Sequence, residues 1–314
     1  MDAIESVVIQ GAGAMGAVYA SRFLQAEGTR VAFLARGERA ARLRAEGVTV
    51  NRTRLDVPVI DAAAPPGCPS IHPAIRAADL VIVALKDRAL SGALPDLQAV
   101  VGPQTTILSV MNGLDSEATL AAAYGPDKVL YAIAVGIDAL REGGAVTFTT
   151  SGKIIFGEAH NEAPTPRVQR VQAALDRAGL AFETPPDMIR MLWWKFMVNV
   201  GVNQASAVMR APYGIFHANP EAQALMEALM REAIALGQAE GVDLREDDIA
   251  AWYTFLNTLS PQGKTSMLQD LEAGRPTEVE IFAGKAVALG AAHGIPTPVN
   301  QTVLRIIRVL EATP

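Results

Sequence analysis

Up to about residue 186, short unbroken apolar runs alternate with longer stretches whose apolar residues recur at helical spacing; beyond it only the helical spacing remains. The runs at 6–10, 30–34, 80–84 and 106–110 predict buried strands, and the alternating positions over 48–60 predict one or two more. Segments 129–136, 145–150, 153–156 and 181–184 read as further strands. Helical patterns follow the first strand and cover 89–100 and 164–178, with Ser116 placed to cap another helix. Strands that alternate with helices predict an α/β domain built on a largely parallel sheet. After Pro185-Pro186 the helical patterns at 221–240, 247–259, 277–292 and 300–311 predict an all-α domain, with 261–275 as a connecting stretch. The expected division is therefore 1–186, α/β, followed by 187–314, all-α.

One helical stretch breaks the apolar rule. Residues 192–203, LWWKFMVNVGVN, string Lys195, Asn199 and Asn203 through an otherwise apolar segment. Steps of four residues drift only about 40° around a helix, so these side chains form one polar stripe. Buried and unpaired, an ammonium and two amides would each cost roughly several kcal/mol. They call for polar partners, either neighbouring helices or a polar ligand.

The first strand runs directly into Gly11-Ala12-Gly13-Ala14-Met15-Gly16, and a helix pattern follows. A GxGxxG between a strand and a helix is the fingerprint of a Rossmann-type dinucleotide site, in which the pyrophosphate meets backbone amides at the helix start. The end of the second strand distinguishes the two nicotinamide dinucleotides, because an acid there would bond the ribose 2′-hydroxyl. Arg36 stands at that place. A guanidinium clamps a 2′-phosphate instead, so NADP is the expected cofactor, with Glu38 as the counter-argument. Ligands of open α/β sheets bind at the carboxyl ends of strands, which adds Lys86 and Asn112 as candidates. The plainer accounts are a solvated loop lysine and a turn former beside Gly113.

Composition narrows the partners. The 314 residues fit two domains, and half of them are hydrophobic. No uncharged apolar run approaches the roughly 20 residues of a spanning helix, and acidic residues near the amino terminus argue against a secretion signal. The single cysteine, Cys68, allows no internal disulfide and fits a cytoplasmic location. A net charge of −6 with no basic run disfavours nucleic acid and anionic membrane. The four histidines fall in no matching motif, and no metal site is expected. Small-molecule partners remain, with a homodimer left open.

Near the carboxyl end, Thr277-Glu278-Val279-Glu280 has the spacing of a capping box in which Glu280 reaches back to the Thr277 amide. Glu278 is then the freer acid to pair with Lys195.

Taken together, the GAGAMG loop, Arg36, VALK ending at Lys86, MNG with Asn112, WWKFMVNVGVN, KTSMLQD with Ser266, RPTEVE with Glu278 and the closing HGIPTPVN resemble the ketopantoate reductase family along nearly the whole chain. The resemblance implies NADPH-dependent reduction of 2-dehydropantoate to (R)-pantoate, a step of pantothenate and coenzyme A biosynthesis. It implies Lys195 as the catalytic general acid with Glu278 beside the substrate. Asn112, Asn199, Asn203 and Ser266 become substrate contacts. Gly11, Ala12, Gly13, Ala14, Met15, Gly16, Arg36, Lys86 and Asn112 become cofactor contacts. Two departures bear on the substrate's tail: Pro212-Tyr213-Gly214 replaces a PNG-type turn, and Glu280 and Ala283 replace the acid and amide of a TEID…NG segment. Another 2-oxo acid is the alternative substrate, and a non-catalytic dinucleotide-binding protein is the alternative from another class.

Overall fold

The computed structural model describes residues 3–64, 75 and 77–312; Cys68 and most of the 61–73 loop lie outside the described residues. The chain divides into two compact units, Met1–Met188 and Ile189–Pro314.

The first unit is organised by hydrophobic runs that must be buried on both faces. Among the described residues its strands are β1 (Ser6–Gln10), β2 (Arg30–Ala35), β3 (Val48–Val50), β4 (Thr53–Leu55), β5 (Val59–Asp61), β6 (Leu80–Val83), β7 (Thr106–Ser109), β8 (Val129–Ile137), β9 (Leu140–Glu142), β10 (Ala145–Thr147), β11 (Ser151–Gly157) and β12 (Ala181–Glu183). Eight of them form one sheet in the order β12-β11-β8-β7-β6-β1-β2-β5. All its pairings are parallel except β8 with β11. Side chains alternate across the sheet. Val7, Ile9, Leu80 and Ile82 enter one core with Val168, Val171 and Leu175 of the helix Pro166–Arg177. Val8, Val81 and Val83 enter a second core with Leu90, Leu97 and Leu120. Parallel strands need this cover on both sides, and the result is a Rossmann-type α/β fold.

The 48–60 region resolves into three strands, because the left-handed residues Asn51 and Arg52 turn β3 sharply into β4. With β10 and β9 they make a second sheet, β4-β3-β10-β9. The predicted 89–100 helix is a helix at Asp87–Ala93 that tightens into a 3-10 turn at Leu94–Ala99, where Pro95 lacks an amide to donate. Ser116 is the first residue of its helix, not the cap, and its hydroxyl serves Ser109 and Glu117 instead.

The second unit is helical. Its longest helix, Pro220–Ala239, starts on Asn219, whose side chain accepts from the amides of Glu221 and Ala222. The 261–275 stretch contains a further helix, Ser266–Glu272, with Thr265 accepting the Leu268 amide. The capping box does not form. The Thr277 amide goes to Glu311, while Glu280 makes two bonds to Arg308, because the long carboxylate finds a guanidinium on the helix Pro298–Ala312.

Gly11 and Gly16 fix how the first helix meets the sheet. Gly11 has φ +111°, and a Cβ there would lie 2.4 Å from the Ala84 carbonyl oxygen; one on Gly16 would lie 1.9 Å from that of Gly11. Nothing lies within 4 Å of a Cβ added to Gly13. Gly16→Ala is expected to lower folding stability by about 1–3 kcal/mol through overpacking against backbone. Gly13→Ala should stay within about 0.5 kcal/mol of wild type. Urea unfolding of the two variants checks the contrast, and equal losses would contradict it.

Candidate active site

In the first unit the order β7-β6-β1-β2 brings four sequence-predicted residues to one edge of the sheet. These strands are parallel, so their carboxyl ends lie together. Gly11 follows β1, Arg36 follows β2, Lys86 follows β6 and Asn112 follows β7. The chain leaves β1 toward β2 and later returns on the other side as β6, and that switch point is where open α/β sheets take ligands.

The loop itself fits a dinucleotide. The helix Ala14–Phe23 has no side-chain cap and no acid in its first turn, leaving amides and a partial positive charge for an anion. The open space over Gly13 is the room that a phosphate approaching the backbone requires. Arg141, on β9, lays its guanidinium on this loop by donating Nη1 to the Ala12 carbonyl at 2.6 Å.

Arg36 is held in place by an acid. Its Nε donates to Asp96 at 2.5 Å; the Arg36 side chain is 52 % exposed and that of Asp96 only 7 %. Asp61, at the end of β5, accepts from the Gly37 amide at 2.8 Å. Burial pushes the Asp61 carboxyl up, but the amides of Ala63 and Gly37, with Arg44 and Arg36, outweigh it and hold it below the usual carboxylate value. Glu38 stands exposed in the first turn of the next helix.

In the second unit the polar stripe is not a straight α-helix. The helix Met188–Val198 carries Lys195, a π-helical turn follows at Asn199–Asn203, and α-helix resumes at Gln204–Met209. A π turn rotates less per residue than an α turn, which reduces the drift between Asn199 and Asn203. Asn203 Nδ2 accordingly donates to Asn199 Oδ1 at 3.2 Å and reaches Ser266 Oγ at 3.5 Å. Close packing favours the turn: a Cβ on Gly201 would lie 2.5 Å from Met230 Cγ. Both asparagines are buried, at 8 % and 6 % exposure, and the Asn199 Nδ2 atom has no acceptor among the described residues.

Glu278, 7 % exposed, precedes a second π turn at Glu280–Gly284. The two π turns pack on each other. Lys195 and Ser266 are half-buried. The Pro212-Tyr213-Gly214 turn docks on the segment before Ser266, with the Tyr213 and Gly214 amides donating to the carbonyls of Gly263 and Pro261. Burial pushes the Tyr213 phenol up to about 12.

Asp96, Arg141 and Gln204 did not emerge from the sequence. Arg36 meets Asp96 across 60 residues and Arg141 meets Ala12 across 129, and no local spacing encodes either contact. A signal for Gln204 did exist, since it is a third amide directly after Asn203 in an apolar stretch. Among the described residues no group of three His, Cys, Asp or Glu side chains could hold a metal ion, and no helix is long and apolar enough to cross a membrane.

Comparison with known proteins gives one answer along the chain. Residues 7–161 match the family model "Ketopantoate reductase PanE/ApbA", and residues 187–311 match its C-terminal counterpart. The chain is 30 % identical to a 2-dehydropantoate 2-reductase of Halobacterium salinarum, over 97 % of this chain and 98 % of that protein. It also resembles a solved PanE/ApbA family ketopantoate reductase from Ralstonia eutropha JMP134, with 28 % identity, TM-score 0.80 and 98 % of each chain covered. A solved D-mandelate dehydrogenase with NADH and anilino(oxo)acetate shares the fold, at TM-score 0.86 and 19 % identity over 98 % of each chain. Sequence, fold and the order of the motifs agree, and the chain belongs to the ketopantoate reductase family of dinucleotide-binding oxidoreductases.

Proposed function

We propose that this protein is an NADPH-dependent 2-dehydropantoate 2-reductase that forms (R)-pantoate for pantothenate and coenzyme A biosynthesis. The observation that carries the reading is the buried Asn199 amide nitrogen without an acceptor, set in the same helical stretch as Lys195 and bonded to Asn203. A buried donor left unpaired costs about 1–3 kcal/mol, and a substrate oxygen would remove that cost.

The bound dinucleotide supplies a hydride. The chain supplies its cradle: the amides of Gly13, Ala14, Met15 and Gly16 for the pyrophosphate, Arg36 for the 2′-phosphate, and Lys86 and Asn112 at the neighbouring strand ends. Asp96 occupies only the Nε edge of Arg36, and the remaining guanidinium nitrogens serve the phosphate. Charge develops on the substrate's carbonyl oxygen during reduction, and the Lys195 ammonium donates its proton there as general acid. Glu278 holds the substrate's hydroxyl side, while Asn199, Asn203 and Ser266 orient the carboxylate with neutral donors. With one cysteine and so no internal disulfide, the protein suits the cytoplasm. The tyrosine in the Pro212-Tyr213-Gly214 turn and Ala283 favour a second reading, in which the same chemistry acts on a related 2-oxo acid with a different tail.

Lys195→Ala should lower kcat by about 100- to 10,000-fold, the usual loss for a general acid. NADPH affinity should change by less than about threefold, because the lost interaction is made to the reacting oxygen. Steady-state rates and fluorescence titration of NADPH check both parts, and turnover within about tenfold of wild type would remove Lys195 from the role.

Arg36→Ala should reduce kcat/KM for NADPH by about 10- to 100-fold, equivalent to one or two charge-assisted hydrogen bonds, and leave that for NADH nearly unchanged. An unaltered ratio between the two cofactors would mean that the 2′-phosphate is read elsewhere or not at all.

A further inference from the structure

The two π turns of the second unit share one side chain. In an α-helix the Val200 carbonyl would accept from the amide four residues on, and the Ala283 amide would donate to the carbonyl four residues back. A π turn upsets both pairings. At the second turn it is the Gly284 amide that bonds the Val279 carbonyl, at 3.0 Å, which leaves the Ala283 amide to find another acceptor. Gln204 fills both gaps: its Nε2 donates to the Val200 carbonyl at 2.7 Å, and its Oε1 accepts the Ala283 amide at 2.9 Å.

Gln204 is itself fully buried and fixed from behind. Its Nε2 also donates to Asn300 Oδ1 at 3.1 Å, and Asn300 Nδ2 donates to Glu232 Oε2 at 2.7 Å. Asn300 is fully buried too. The amide of Gln204 thus cannot rotate without breaking a bond at each end, and every one of its polar atoms is used.

We propose that Gln204 is a positioning residue: it clamps the turn bearing Asn199 and Asn203 to the turn that follows Glu278, and so sets the spacing of substrate-holding groups drawn from two distant parts of the chain. This rests on the reading of those residues as the substrate site. Gln204 touches no reacting atom. Its side chain bonds backbone atoms in both turns, so loss of the amide shifts the turns relative to one another instead of deleting a substrate contact.

The test compares Gln204→Met, which keeps length but makes neither bond, with Gln204→Glu, which keeps the acceptor for the Ala283 amide. Three quantities are measured on the full chain: kcat and KM for 2-dehydropantoate, the Kd for NADPH, and hydrogen exchange of the Ala283 amide. Gln204→Met should lower kcat/KM about tenfold or more, since misplacements of an ångström carry losses of that order. Gln204→Glu should lose less, and NADPH affinity, set by the other unit, should hold in both. The Ala283 amide should exchange about tenfold faster or more in Gln204→Met than in wild type. A residue that only adds stability would lower the unfolding temperature and leave kcat and KM at 25 °C alone.

Folded Gln204→Met with kcat/KM within twofold of wild type overturns the proposal. So does failure of both variants to fold, which would assign Gln204 to the general core. If the wild type itself reduces no 2-oxo acid, the functional reading fails separately, and the Ala283 exchange decides whether Gln204 links the turns: unchanged exchange overturns the link, faster exchange supports it.

Discussion

A parallel sheet can leave neither face to water, and this constraint orders the first unit. Because β1, β6 and β7 are covered on both sides by two separate apolar cores, their backbones are fixed and only their carboxyl ends are available for chemistry. Arg36, Lys86, Asn112 and the glycine loop inherit a common edge from strand direction alone. The loop's tight passage over Ala84 is part of the same packing, since the backbone that would bind phosphate is also the backbone that closes the core.

The second unit answers a different demand. Its buried polar groups include Asn199, Asn203, Gln204, Glu278 and Asn300, all at 8 % exposure or less. Each must be hydrogen-bonded or be reserved for a ligand. Gln204 and Asn300 use their amides internally, Asn203 is shared between Asn199 and Ser266, and the Asn199 nitrogen has no acceptor among the described residues.

Much of the fold was legible because its signals are local. The strands at 6–10, 30–34 and 80–84, the glycine turn and the change to helices after Pro186 each announce themselves within a few residues. The family resemblance was legible for a related reason, the order of short motifs. What stayed hidden depends on partners far away in sequence. Glu280 has the spacing of a capping box, yet Arg308 competes for it successfully, because a bidentate guanidinium outmatches a single backbone amide. Asp96 lies in an ordinary helical pattern and becomes relevant only once β2 and the 3-10 turn meet. The π turns were invisible because hydrophobic periodicity cannot register one extra residue per turn over so short a span.

That extra residue has a consequence for how the chain tolerates change in length. A π turn is what a helix keeps after absorbing a one-residue insertion: the wider turn takes up the extra residue, and the α segments on either side keep nearly the phase they would have without it. Removing one residue between 199 and 203 would let an uninterrupted α-helix form with the residues beyond it nearly in phase, and the wide turn that carries Asn199 and Asn203 would be lost. Asn199 and Asn203 would then stand three residues apart instead of four or would no longer share the wide turn, although no side chain of the stripe had been substituted. The stretch is therefore more sensitive to its residue count than to the identity of several of its apolar members.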